Sequence, residues 1–297
     1  MNHVIASAVA VAALTAAAGP ALAQSGPEVE IRHAVARVAV IVEDRNDIAV
    51  EVEQGSSGLP AISVERNGRD VRIDGGLQRR GLLRGGDGIR NCRSGPDNAR
   101  QPGEGASVEV RNVGRVNLSD APLIVIRTPR NVNVDASGAV FGSVGRGAAS
   151  IDLGHAGCGA WNVANTDGPL SLSIGGSGDI RAGTSSALDI AIGGSGSITA
   201  GATRGLEVSI GGSGDVVVAR IEGPMEVSIG GSGDVEVRAG TSPNVSVSIA
   251  GSGDVTFGGV AGDVDVSLVG GGDVNIARAT GSVSRSIMGG GDVNIGR

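Results

Sequence analysis

The chain has 297 residues, 53 of them glycine, and only about 1% aromatic: Phe141, Trp161, Phe257 and no tyrosine. A compact globular core of this length uses many more large side chains, so the composition points to a thin core of stacked Val, Ile and Leu. The net charge of −7, with arginine as the sole basic residue type, disfavours nucleic acid as a partner.

The first 23 residues carry the pattern of a secretory leader. Val4 to Ala18 is an apolar run rich in Ala and Val, Gly19-Pro20 breaks it, and Ala21-Leu22-Ala23 supplies a small-x-small site before Gln24. The run is too short and too Ala-rich for a membrane anchor, and no later stretch could span a membrane as a helix. Export to the periplasm or the cell surface is therefore expected. An oxidising compartment permits a disulfide between the two cysteines, Cys92 and Cys158, both of which sit beside glycine in segments that read as loop or turn.

Residues 24–130 read as irregular starting coils or a β-cap, without a core of their own. Val29–Arg32, Val38–Val42, Ile48–Val52 and Val71–Ile73 alternate apolar and polar residues as strands do. Residues 76–107 are rich in Gly, Arg and Pro and lack periodicity, which predicts a long loop or disordered insertion. Its Arg79, Arg80, Arg84, Arg90 and Arg93 could contact an anionic glycan or lipid, although Asp87, Asp97 and Glu104 dilute the charge and a solvated loop explains them as well. Strands resume at Val108 and at Leu123–Ile126.

Residues 131–297 hold an internal repeat. The segment Ser173-Ile-Gly-Gly-Ser-Gly-Asp-Ile180 recurs with its apolar anchor at Ile174, Ile192, Ile210, Ile229, Ile249, Leu268 and Ile287, in steps of 18, 18, 19, 20, 19 and 19 residues. Two degenerate copies precede it around Ala136 and His155, for about nine coils. Leu206, Val208 and Ile210 alternate with Glu207 and Ser209, the period of a strand with one buried face. A Gly-Gly-Ser-Gly turn follows, and the glycines suit positive φ. Val216 and Val218 then carry a second strand. Identical residue types in phase over many copies are expected when each residue stacks on its counterpart one coil away. The predicted fold is a right-handed parallel β-solenoid with 18–20-residue coils. Arg285 falls at an inward position, as in an end coil, whose open edge could pair with another copy.

The strand pattern, Pro129 ahead of the array and the Gly-Ser-Gly-Asp-Val repeats at 212–216, 231–235 and 251–255 resemble the putative auto-transporter adhesin head GIN domain family. The resemblance implies a β-solenoid with an adhesin-like role, and a protein or glycan of the cell envelope as the partner.

Candidate chemistry is sparse. Asp179, Asp215, Asp234, Asp254, Asp273 and Asp292 form a column, broken by Ser197, in which stacked carboxylates would repel. Calcium between coils could offset this. So could hydrogen bonds from turn N–H groups or from Ser177, Ser213, Ser232 and Ser252. The repeat is one residue short of the calcium-binding G-G-x-G-x-D pattern, which favours hydrogen bonds. His155 near Cys158 could form a nucleophile pair, but an inward His in a degenerate coil reads as core. His33 has no evident partner. Coils without long loops and almost without aromatics leave little for a polysaccharide-cleaving enzyme. No catalytic residue, metal or cofactor is assigned. The readings carried forward are an adhesin-like envelope protein and a periplasmic scaffold.

Overall fold

The computed structural model describes residues 26–77, 88–96 and 101–296. The leader read at 1–23 and Arg79, Arg80 and Arg84 lie outside these residues. Among the described residues there is no helix, and the strands form a parallel β-solenoid of about nine coils with an irregular N-terminal part.

The core follows from the alternation. On one wall Ile151, Leu170, Leu188, Leu206, Met225, Val245, Val264 and Val283 stand in register, each opposite its counterpart in the next coil. On the second wall Ile180, Ile198, Val216, Val235, Val255, Val274 and Val293 do the same. All except Val283, in the last coil described, are buried. The alternate residues point outward, so Glu207 stacks on Glu226 and Ser209 on Ser228. The apolar cluster runs unbroken from Val29 to Val293.

The N-terminal part belongs to the same core. Strand β1 (Glu28–Val42) pairs in parallel with β9 (Asn131–Val144), and so forms a coil of its own. Beyond it lie β2 (Ala49–Glu53), β3 (Ser63–Asn67), β4 (Asp70–Asp74) and β8 (Leu123–Thr128). β4 and β8 pair in parallel with the two halves of β1. β3 and β2 then pair antiparallel with β4 and β8 and finish that end of the stack.

Three features differ from the sequence reading. The glycines of the repeat turns at 175–178, 193–196 and 211–214 are not at positive φ. Their role is the close approach of stacked turns: a β-carbon at Gly212 would strike the carbonyl oxygen of Gly194, and one at Gly194 that of Gly176. Secondly, β9 and β10 (Ser150–Val163) run unbroken through the expected turn, bending at Gly138, Gly157 and Gly159. Thirdly, the segment read as a loop holds β5 (Ile89–Arg93), which pairs with β6 (Ser107–Val110) and through it β7 (Gly114–Asn117) in a separate antiparallel sheet. Its partner strand lies mostly outside that segment, and the disulfide expected between Cys92 and Cys158 ties it to β10.

Trp161 is fully buried, and a β-carbon at Gly142 would lie 2.6 Å from two of its ring carbons. Gly142→Ala is expected to cost about 1–3 kcal/mol through overpacking. Gly271→Ala, where no atom lies within 4 Å, is expected to change stability little. Denaturant titration of both variants measures the contrast.

Candidate functional site

The aspartate column is a chain of hydrogen bonds between coils. The Asp234 N–H donates to Asp215 Oδ1 at 3.1 Å, that of Asp254 to Asp234 Oδ1 at 2.8 Å, that of Asp273 to Asp254 Oδ1 at 2.7 Å, and that of Asp292 to Asp273 Oδ1 at 2.8 Å. Where Ser197 interrupts the column, both its N–H and its hydroxyl donate to Asp179 Oδ1. Every carboxylate of the column except Asp292 thus answers the amide of the residue stacked on it, which offsets the repulsion along the column. The turn serines act differently from the expectation. The N–H groups of Ser177, Ser213, Ser232 and Ser252 bond glycine carbonyls one coil away, at 2.8–3.0 Å. Among the described residues no three acidic, His or Cys side chains gather as a metal site would require.

A second acidic row lies on the outer face of the first wall. Asp189 stacks on Glu207 and Glu207 on Glu226. Burial, then Asp152, raises the Asp189 carboxyl above its ordinary value. Burial, then Asp189 and Glu226, raises Glu207 in the same way. Asp263 moves in the opposite direction, because the Ser282 hydroxyl and N–H both donate to it.

His155 and Cys158 do not form a reactive pair. Cys158 is joined to Cys92 in a disulfide, with 6.2 Å between the two Cα atoms. His155 stacks between Ala136 and Ile174 and is 2% exposed, and neither ring nitrogen has a hydrogen-bond partner. Burial pushes its pKa down to about 4, although backbone groups of Cys158 and Ala136 and the Asp179 carboxylate pull the other way. His33 does have a neighbour: its Nδ1 lies 3.6 Å from Asp74 Oδ2, and its backbone is left-handed, with φ 48°, where β1 turns a corner.

The disulfide holds the three-stranded sheet against the outside of the first coils. Val108, Val110, Val116 and Leu118 pack on Val35, Ala139 and Phe141, outward residues of β1 and β9. Sequence reasoning missed this sheet. The signal that could have found it is Asn112-Val113-Gly114 between two short alternating runs, with Asn112 at φ 65°.

Residues 203–296 match the family model described as putative auto-transporter adhesin, head GIN domain. The family resemblance read from the repeats holds over that segment. Over most of its length the chain shares its fold with a structure described as a putative adhesin from Parabacteroides distasonis ATCC 8503. That likeness has a TM-score of 0.51 at 14% identity and covers 91% of this chain and 92% of the other. A putative adhesin from Bacteroides fragilis NCTC 9343 aligns over 91% of each chain, at 14% identity and a TM-score of 0.35. No curated protein matches the chain.

Two measurements test the column and the buried histidine. Asp254→Asn keeps the acceptor for the Asp273 amide and removes a charge from the column, so Tm should hold or rise. Asp254→Ala loses the acceptor and should lower Tm by about 2 °C. His155 takes up a proton in the unfolded chain near pH 6.5 but in the fold only near 4. Between those values the unfolded state binds more protons, so stability present above pH 6.5 is lost as pH falls toward 4, by about 3 kcal/mol. His155→Ile, which copies Ile174 in the same stack, should flatten this part of the stability–pH curve.

Proposed function

We propose that this protein is an exported, non-catalytic, adhesin-like interaction protein of the cell envelope. The observation that carries the reading is the match of residues 203–296 to an adhesin-head family. The chemistry of the chain supports it. Both thiols are consumed in one disulfide, and the His155 imidazole is closed off from water. The stacked coils present long, regular faces of Ser, Asp and Glu, which suit recognition of an extended partner. The disulfide and the leader read at 1–23 both support export.

One observation favours the scaffold alternative. Strand Val283–Gly289 is exposed along its whole length, with Ile287 at 46% and Met288 at 73% exposure. Such an edge can accept a strand from a second copy.

Protease treatment of intact cells, with a periplasmic marker as control, separates the two readings. The adhesin-like reading expects cleavage of this protein while the marker survives. Protection until the outer membrane is breached would exclude direct adhesion and move the assignment to a periplasmic scaffold.

A further inference from the structure

The disulfide-held sheet has an outer face unlike the rest of the molecule. β6 and β7 bury Val108, Val110 and Val116 against the coils, with Ile89 and Cys92 of β5 partly buried beside them, so the alternate residues face solvent. Asn91, Glu109 and Arg115 stand opposite one another across the three strands, as do Arg93, Ser107 and Asn117. The register shift between Ile89 and Asn91 leaves Arg90 as an extra, exposed residue, and Arg111 directly follows β6, its N–H bonded to the Gly88 carbonyl at 2.9 Å. Arg90, Arg93, Arg111 and Arg115 are all exposed, and none makes an ion pair among the described residues. Elsewhere Arg32, Arg45, Arg72, Arg127, Arg130, Arg220 and Arg238 each pair with a carboxylate, and exposed arginines without an ion pair among the described residues, such as Arg181, Arg204 and Arg278, stand singly on separate coils. Among the described residues Glu109 is the one acid in the cross-strand rows of this face, and the Asn91 amide donates to it at 2.8 Å.

We propose that this arginine face is a contact surface for a polyanionic polysaccharide. The proposal names the partner class of the interaction protein argued above and rests on that reading. Four guanidinium groups on a three-stranded sheet offer paired N–H donors to successive carboxylates or phosphates along an extended chain. The two cross-strand rows contain no apolar residue, so the face has little to insert into a lipid surface. A body of net charge −7 repels its own copies at long range. A flexible chain can touch the arginine face alone and stay clear of the acidic row on the first wall. The disulfide fixes β5 to β10, so the guanidinium groups reach the ligand already arranged.

The test uses the purified protein, with polygalacturonate as the probe and neutral dextran as the control, at several salt concentrations. Wild type should bind polygalacturonate and not dextran, and binding should weaken as salt rises. The variant Arg90→Gln/Arg93→Gln/Arg111→Gln/Arg115→Gln should lose at least tenfold in affinity. A comparison variant, Arg181→Gln/Arg204→Gln/Arg278→Gln, removes exposed, unpaired arginines from separate coils and should bind as wild type does. An unchanged Tm and an intact disulfide by mass show that the fourfold variant is folded. Equal binding by the fourfold variant and wild type overturns the proposal, as does absence of binding at low salt. So does preferential binding to phosphatidylglycerol vesicles, or a salt-sensitive rise in mass without ligand, which would make a membrane or a second copy the partner. Protease protection on cells would remove the surface reading while leaving this binding intact. Surface exposure without polyanion binding would remove only the proposal.

Discussion

In-register parallel stacking is the constraint on which the rest of this structure depends. Neighbouring coils sit one strand spacing apart, about 4.8 Å, and every residue meets its counterpart from the next coil. This uniformity explains why an unusually small set of residues builds the chain. Leu, Ile and Val stacked on their own kind fill a narrow interior, so large aromatics are scarcely needed. Where one is used, the neighbouring coil must give way, as Gly142 does for Trp161. The same spacing reaches the turns. The Gly194 and Gly212 backbones lie on top of the turns of adjacent coils, and no side chain fits between them.

Stacking like on like is harder for charges. A column of carboxylates at strand spacing repels itself, and the two acidic columns meet the difficulty in different ways. In the turn column each aspartate accepts the N–H of the next, so the backbone supplies a partial positive charge at every step. On the first wall Asp189 and Glu207 have neighbours of their own sign, and burial and repulsion raise both carboxyls. The strain of repetition is thus absorbed by main-chain donors at the turns and left in the side chains on the flat face.

The solenoid was legible because its cause is periodic. The steps of 18–20 residues between anchors Ile174 and Ile287 are the same offsets that pair Ile174 with Ile192, Ile192 with Ile210 and Leu268 with Ile287. The disulfide was legible too, since only two cysteines were available. The parts that escaped have causes that local sequence does not carry. β3 is polar and exposed and is a strand only because β4 lies beside it. β5 sits between Gly- and Arg-rich flanks, and becomes ordered through β6 and Cys158. The bends at Gly138 and Gly157 look like turn glycines in sequence, yet the strands continue through them. Arg111 and Arg115 gave no sign of a shared face, because that face exists only once β6 and β7 pair.

The two outermost coils described treat an inward position differently from the coils between them. At an end coil an inward position has a neighbour on one side only, and an apolar side chain there would be half exposed. Both ends place arginine at such a position. Arg66 lies opposite the buried Val71, and cross-strand partners share a face. Its Nη2 reaches the Ile48 carbonyl at 2.8 Å. Arg285 stands in register with the buried Val266, and its Nη1 approaches the Val293 carbonyl, on the other wall of the last coil, at 3.4 Å. In each case the guanidinium answers a main-chain oxygen. Arginine suits the position because it is long enough to cross the section and because its head stays charged and solvated at the rim. The same solution thus recurs at the two outermost coils described, built from unrelated local sequences.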